Sequence, residues 1–284
     1  MRSLNYLLLV SCVLLGGCRR NAGGRPCCEP EDYGPESWNM HPEVIEEAIA
    51  RANAILADSP VLLAIPGSRL QPRGLTVTVR EVHGELEPDS DIASISSGQC
   101  IFVNHFWRQE IVPLLTKSRI GNFDLDPMDL LVVILLHEAG HVQKQPLPDT
   151  PTIRNVRATL NEAQQEELRA DAFAAERIAT ALKGSVKGGV EASRLMLALS
   201  CIGWNLQADR LLNHFGATTL RSPQLFRDPG ASHPNLELRF LVINYLITPT
   251  PESSSLLKNF LDARTHPRRA TLFGSYRLLN RTTH

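Results

Sequence analysis

The chain has 284 residues, of which 43% are hydrophobic and 21% charged, with a formal net charge of −1. That length suits one large domain or two small ones, and the composition is ordinary for a globular protein. The near-zero charge excludes a global field that would gather nucleic acid, so no nucleic-acid partner is expected.

The N-terminus opens with Arg2 and an apolar run from Tyr6 to Leu15, broken only by Ser11. A run of this length is that of a signal peptide and too short to span a bilayer as a mature helix. It ends in Leu15-Gly16-Gly17-Cys18, which resembles a bacterial lipobox. Leu9-Val10-Ser11-Cys12 fits the same pattern but has too little apolar chain before it. The expectation is therefore a signal peptide over 1–17, a lipidated Cys18 and a membrane attachment through that lipid. The chain would then sit in the bacterial cell envelope. In a Gram-negative host, Arg19 in place of Asp points to the periplasmic face of the outer membrane. Residues 18–38, rich in Gly, Pro and charge, read as a flexible tether. Residues 39–284 read as the folded domain. Export permits disulfides among Cys27, Cys28, Cys100 and Cys201. Adjacent Cys27 and Cys28 make a strained ring, so pairing between those two is disfavoured.

Pro42 to Leu56 has helical spacing, with Val44, Ile45, Ala48, Ile49, Ala52 and Ile55 on one side. Leu75 to Val82 alternates as a half-buried strand. Ile92 to Ser96 and Cys100 to Val103 read as two more strands about a turn at Ser97-Gly98. These predict a small antiparallel sheet, with Ile92 to Ser96 at its edge. Asp126-Pro127 opens a helix: Asp126 as N-cap, Pro127 at N1, Asp129 at the positive end. Leu130 to Leu136 is apolar on every side, which places this helix in the core. Gln145 to Arg157, with Pro146, Pro148 and Pro151, reads as a connector, with a cleft-covering loop as the alternative. Asn161, with Gln164 three residues on, caps a helix that runs to about Leu182. Further helices are expected over Val190 to Phe215, Pro234 to Leu246 and Glu252 to Ala263. The arginines at 264, 268, 269, 277 and 281 form a basic run that reads as a solvated tail, or alternatively as a contact for an anionic membrane. The fold class is thus α+β: a mostly helical domain with a small antiparallel sheet beside its central helix.

That central helix carries His137-Glu138-Ala139-Gly140-His141, an H-E-x-x-H pattern. Residues four apart share a helix face, so both imidazoles can reach one ion. Glu138, rotated by about 100°, lies beside the ion where a base can take a proton from water. Gly140 is expected to leave room near the ion. Two histidines leave a zinc site one protein ligand short. Glu167, with Asp171 one turn on, is the candidate third ligand, and Asp171 would hold the far nitrogen of a ligand histidine. Glu162 and Glu166 have no Asp four residues on and read as solvated charge. His233, just before Pro234, can lean over the ion and donate to a developing oxyanion. His41 and His266 also precede Pro, so that pair alone is weak.

H-E-x-x-H, then Glu167-x-x-Ala170-Asp171, then His233-Pro234-x-x-x-x-Arg239, in that order, resembles the M48 family of zinc endopeptidases, the group that includes the CAAX prenyl proteases. The likeness runs over about Ile92 to Arg239. It implies a zincin-like fold and one Zn²⁺ per chain held by His137, His141 and Glu167. Glu138 would be the base, Asp171 would support a ligand, and His233 and Arg239 would support the transition state. It also implies that Ile92, Ala93, Ser94, Ile95 and Ser96 form an edge strand that docks extended protein or peptide substrates. The chain departs from the family in Asp91-Ile92-Ala93, where an Asn-Ala start is usual, and after Arg239. A different class competes with this reading: a non-catalytic lipoprotein whose zinc is structural and supports binding or assembly. A free Glu138 and the absence of a four-ligand cysteine set argue against it.

Overall fold

The computed structural model describes residues 42–65, 74–82, 93–96, 100–104, 126–184, 186–215, 234 and 236–265. The candidate lipidation site Cys18, the tether, Ile92 and His233 lie outside them. The described elements are α1 (Pro42–Ile55), β1 (Val61–Ala64), β2 (Leu75–Val82), β3 (Ala93–Ser96), β4 (Cys100–Asn104), α2 (Pro127–Gln143), α3 (Pro151–Arg157), α4 (Glu162–Lys183), α5 (Val186–Phe215), α6 (Leu236–Ile247) and α7 (Pro251–Thr265). The fold is mostly helical with one small sheet.

The expectation of an antiparallel sheet is corrected. The strand order is β1-β2-β4-β3, and β1 with β2 and β2 with β4 pair in parallel. Only β3 runs antiparallel to β4, with Ala93 opposite Val103 and Ser96 opposite Cys100. The alternation in LTVTVREV reports that one side of a strand is buried, but it carries no information on the direction of the neighbours. β1 went unread because Val61 to Ala64 is a four-residue apolar run, too short for a period. The sheet packs against α1 and α2, and β3 lies beside α2 at the end of the strand order.

Local signals explain why α2 and α4 form where they do. Asp126 accepts from the Met128 N–H at 2.9 Å, and Pro127 occupies the first turn. The other end closes at Lys144 in the left-handed region (φ 48°), with its N–H on the Gly140 carbonyl at 3.1 Å. α4 starts with a reciprocal cap: the Gln164 N–H donates to Asn161 Oδ1 at 2.9 Å, and the Asn161 N–H donates to Gln164 Oε1 at 3.2 Å. The start of α2 is also tied sideways. Arg51 on α1, itself buried, pairs with Asp129 and with Glu191 on α5, the latter at 2.8 Å.

Two hydrophobic clusters organise the helices. The larger joins α1, β1, β2, β4, α2, α4, α5 and part of α6, with Leu131, Leu135, Leu136 and Phe173 among its fully buried members. The smaller consists of Ile153, Val156, Leu160, Leu168, Leu238, Leu241, Val242, Leu257 and Phe260. It puts α3 under α6 and α7, so the segment expected to be a bare connector contains a packed helix. Thr150 caps that helix, accepting from the Ile153 N–H at 3.2 Å, and Pro151 stands at its first turn. Prolines that exclude a helix interior are well placed to begin one.

Candidate metal centre

α2 delivers His137 and His141 one turn apart, and α4, packed along α2, delivers Glu167 and Asp171 one turn apart. The close approach of the two helices depends on Gly140. A Cβ built at Gly140 would lie 2.8 Å from both the Ala170 Cα and the Ala170 carbonyl oxygen, and 3.0 Å from the Phe173 Cβ. The first two are backbone atoms and have little freedom to move. The missing side chain therefore makes room for α4, which corrects the expectation that it makes room near the ion.

The result is a tight set of donor atoms. His137 Nε2 and His141 Nε2 are 3.1 Å apart, with the rings nearly perpendicular at 89°. Glu167 closes the group: Oε2 is 3.2 Å from His137 Nε2, and Oε1 is 3.4 Å from His141 Nε2. Tetrahedral zinc with bonds of about 2.0–2.1 Å places its donors about 3.3–3.4 Å from one another. The three separations, 3.1 to 3.4 Å with the two Glu167 oxygens each facing one histidine, lie close to that spacing, so the donor set fits such an ion. The Glu138 carboxylate is also close, its ligand atom and those of the two histidines all lying within 4.8 Å of one another. His137, Glu138 and His141 thus form a group able to hold a metal ion. Glu167 lies within 3.4 Å of the Nε2 atoms of both histidines.

A ring of charge behind His137 sets its orientation. Asp171, almost fully buried, accepts from His137 Nδ1 at 2.8 Å. That bond places the proton on Nδ1 and turns the lone pair of Nε2 towards His141 and Glu167. Arg239, from α6, grips the same carboxylate with two donors: Nε to Oδ2 at 2.9 Å and Nη2 to Oδ1 at 2.8 Å. Its Nη2 also lies 3.8 Å from Glu167 Oε2. A planar guanidinium held in this two-point manner fixes direction as well as charge.

The electrostatics follow from this arrangement. Burial disfavours the Asp171 anion, but the Arg239 and His137 charges outweigh it and hold the carboxyl well below the usual range. For His137, burial and the Arg239 charge oppose protonation, yet Asp171 and Glu167 bring the metal-free ring up to about 9. Burial pushes Glu138 up, against the opposing charges of His137 and His141. A carboxyl raised in this way takes up a proton more readily than an exposed one.

No protein-family model matches the chain, and no curated protein or solved structure matches it. The reading of the site therefore stands on its geometry. Among the sequence-derived residues, the structure gathers His137, Glu138, His141, Glu167, Asp171 and Arg239 at one place. Ala93 to Ser96 form the strand at the end of the sheet order, beside the helix that carries both histidines. Glu166 pairs with Arg169 on an exposed face and takes no part. The spacing of Arg239 from Asp171, 68 residues, left no local signal for their contact. That Arg was identified only by resemblance.

Proposed function

We propose that the protein is a zinc-dependent endopeptidase of the M48 type, acting on extended or misfolded polypeptides. The observation that carries this reading is the set of donor separations of 3.1, 3.2 and 3.4 Å among His137, His141 and Glu167, with a further carboxylate left beside them. Zinc in this setting supplies Lewis acidity, which lowers the pKa of water towards about 7 and polarises a carbonyl. Glu138 takes the proton from the attacking water and passes it to the departing amine. Its buried position keeps it from being satisfied by solvent. Asp171 and Arg239 keep the His137 ring in one tautomer and one orientation through the cycle. His233 donates to the oxyanion, where loss of one donor typically costs about 10²–10³ in rate. The substrate adds as a strand along Ala93 to Ser96, bound through its backbone, which selects extended chain over sequence.

The setting we propose is the bacterial envelope, with attachment through a lipid on Cys18. Cys100 is buried and disulfide-bonded, which supports an oxidising compartment. No helix among the described residues is long and apolar enough to cross a membrane.

The test is direct. Zinc content and hydrolysis of unfolded casein are measured on the wild type and on Glu138→Gln. The expected result is zinc in both and hydrolysis in the wild type only. Equal hydrolysis in both proteins, or zinc without hydrolysis in either, refutes the proposal, and the latter result supports the structural-zinc module.

A further inference from the structure

Among the described residues, three large hydrophobic side chains are exposed: Val186 at 87%, Val190 at 55% and Leu197 at 50%. All three belong to α5. At 100° per residue they fall within about 40° of one another around the helix and span roughly 16 Å of its axis. Ala192, Leu195 and Leu199, buried in the core, occupy the opposite side. The exposed residues thus form one stripe facing away from the protein, and the packing of α5 on its neighbours does not use it.

Basic residues border the stripe. Lys187 and Arg194 lie on its flank about 60–80° away, and Lys183, the last residue of α4, sits just before it. Lys183, Lys187 and Arg194 are all exposed. Arg194 pairs with Asp126 at 3.6 Å, Asp129 at 3.7 Å and Glu191 at 3.9 Å, and Glu191 also pairs with Arg51 at 2.8 Å, so the charge offered to an anionic surface is that of Lys183 and Lys187. An apolar stripe bordered by cations is the chemistry of a helix lying in the surface of an anionic bilayer. A second copy of the chain is a poorer occupant. Three such side chains offer on the order of 200 Å², against roughly 800 Å² per partner in a stable protein interface.

We infer that the exposed face of α5 at Val186, Val190 and Leu197 rests on an anionic phospholipid surface, with Lys183 and Lys187 at the headgroups. This contact is separate from the metal centre and does not depend on lipidation at Cys18. It would hold the domain in one orientation on the membrane.

Amine labelling with an acetylating reagent, read by mass spectrometry, tests it on the full chain. The protein is mixed with vesicles of equal parts phosphatidylglycerol and phosphatidylcholine, with vesicles of phosphatidylcholine alone, or with none. Exposed Lys258 on α7 serves as the internal reference. The expected result is a drop of about five-fold in labelling of Lys183 and Lys187 relative to Lys258 on the anionic vesicles only. High salt weakens that protection, and the exposed-site double variant Val190→Glu, Leu197→Glu abolishes it while the thermal melt is retained. Equal labelling in all three conditions overturns the inference, as does protection that survives the double variant. Protection that grows with protein concentration in the absence of vesicles also overturns it, in favour of self-association.

Discussion

The chemistry of the site is decided by which atom of each residue faces inward. His137 has two nitrogens, and the Asp171 contact at 2.8 Å holds Nδ1. Removal of that acceptor frees the ring to flip, so Asp171→Ala should lower zinc affinity about 10–100-fold while leaving the ligands intact. Competition titration with a chelating dye measures this, and unchanged affinity would remove Asp171 from the site. Protonation gives a second prediction. In the metal-free protein His137 rises from its ordinary value of 6.5 to about 9. A raised histidine contributes stability that is fully present below 6.5 and lost as pH climbs through 9. Zinc takes the neutral ring, so its binding expels that proton throughout this window. Affinity should therefore climb with pH, by about tenfold per unit at most, and level off above about 9. Calorimetry in buffers of different ionisation enthalpy counts the proton; the release of none near neutral pH would contradict the assignment.

At the scale of elements, the sequence was most readable where helix ends carry chemistry. The Asp126-Pro127 cap and the Asn161–Gln164 reciprocal cap locate α2 and α4, and with them five of the six clustered residues. What could not be read is whatever depends on distant chain. Parallel pairing of β2 with both of its neighbours is set by the path of the connections, which no strand pattern encodes. The prolines before and at Pro151 disguised a helix that Thr150 begins. The use of Gly140 is not legible from its own helix, because the neighbour it accommodates is the backbone of Ala170 on another helix. Gly140→Ala should consequently push α2 and α4 apart, destabilising the fold by about 1–3 kcal/mol despite the better helix propensity of Ala. Zinc affinity should fall with it. A thermal melt no lower than wild type would show that the two helices have slack, which the 2.8 Å approaches argue against.

At the scale of the molecule, the candidate metal centre joins the two hydrophobic clusters. α2 belongs to the larger cluster and α4 to both, through Phe173 and Leu168, while Arg239 sits between Leu238, of the smaller, and Phe240, of the larger. Leu238→Ala should cost about 2–5 kcal/mol by cavity formation, and zinc affinity should drop as α6 loosens its hold on Asp171. A denaturation series with zinc added and withheld would reveal this; a destabilised fold with unaltered zinc binding would mean that α6 does not help to position the ligands. Above these details stands one requirement, that two helices bring three side chains onto a single ion. X-ray absorption at the zinc edge of the purified protein reads that coordination directly. The geometry requires only nitrogen and oxygen neighbours, at about 2.0–2.2 Å, with the imidazole signature of two histidines that is lost in His137→Ala. A sulfur shell at about 2.3 Å, or a spectrum indifferent to that substitution, would contradict it.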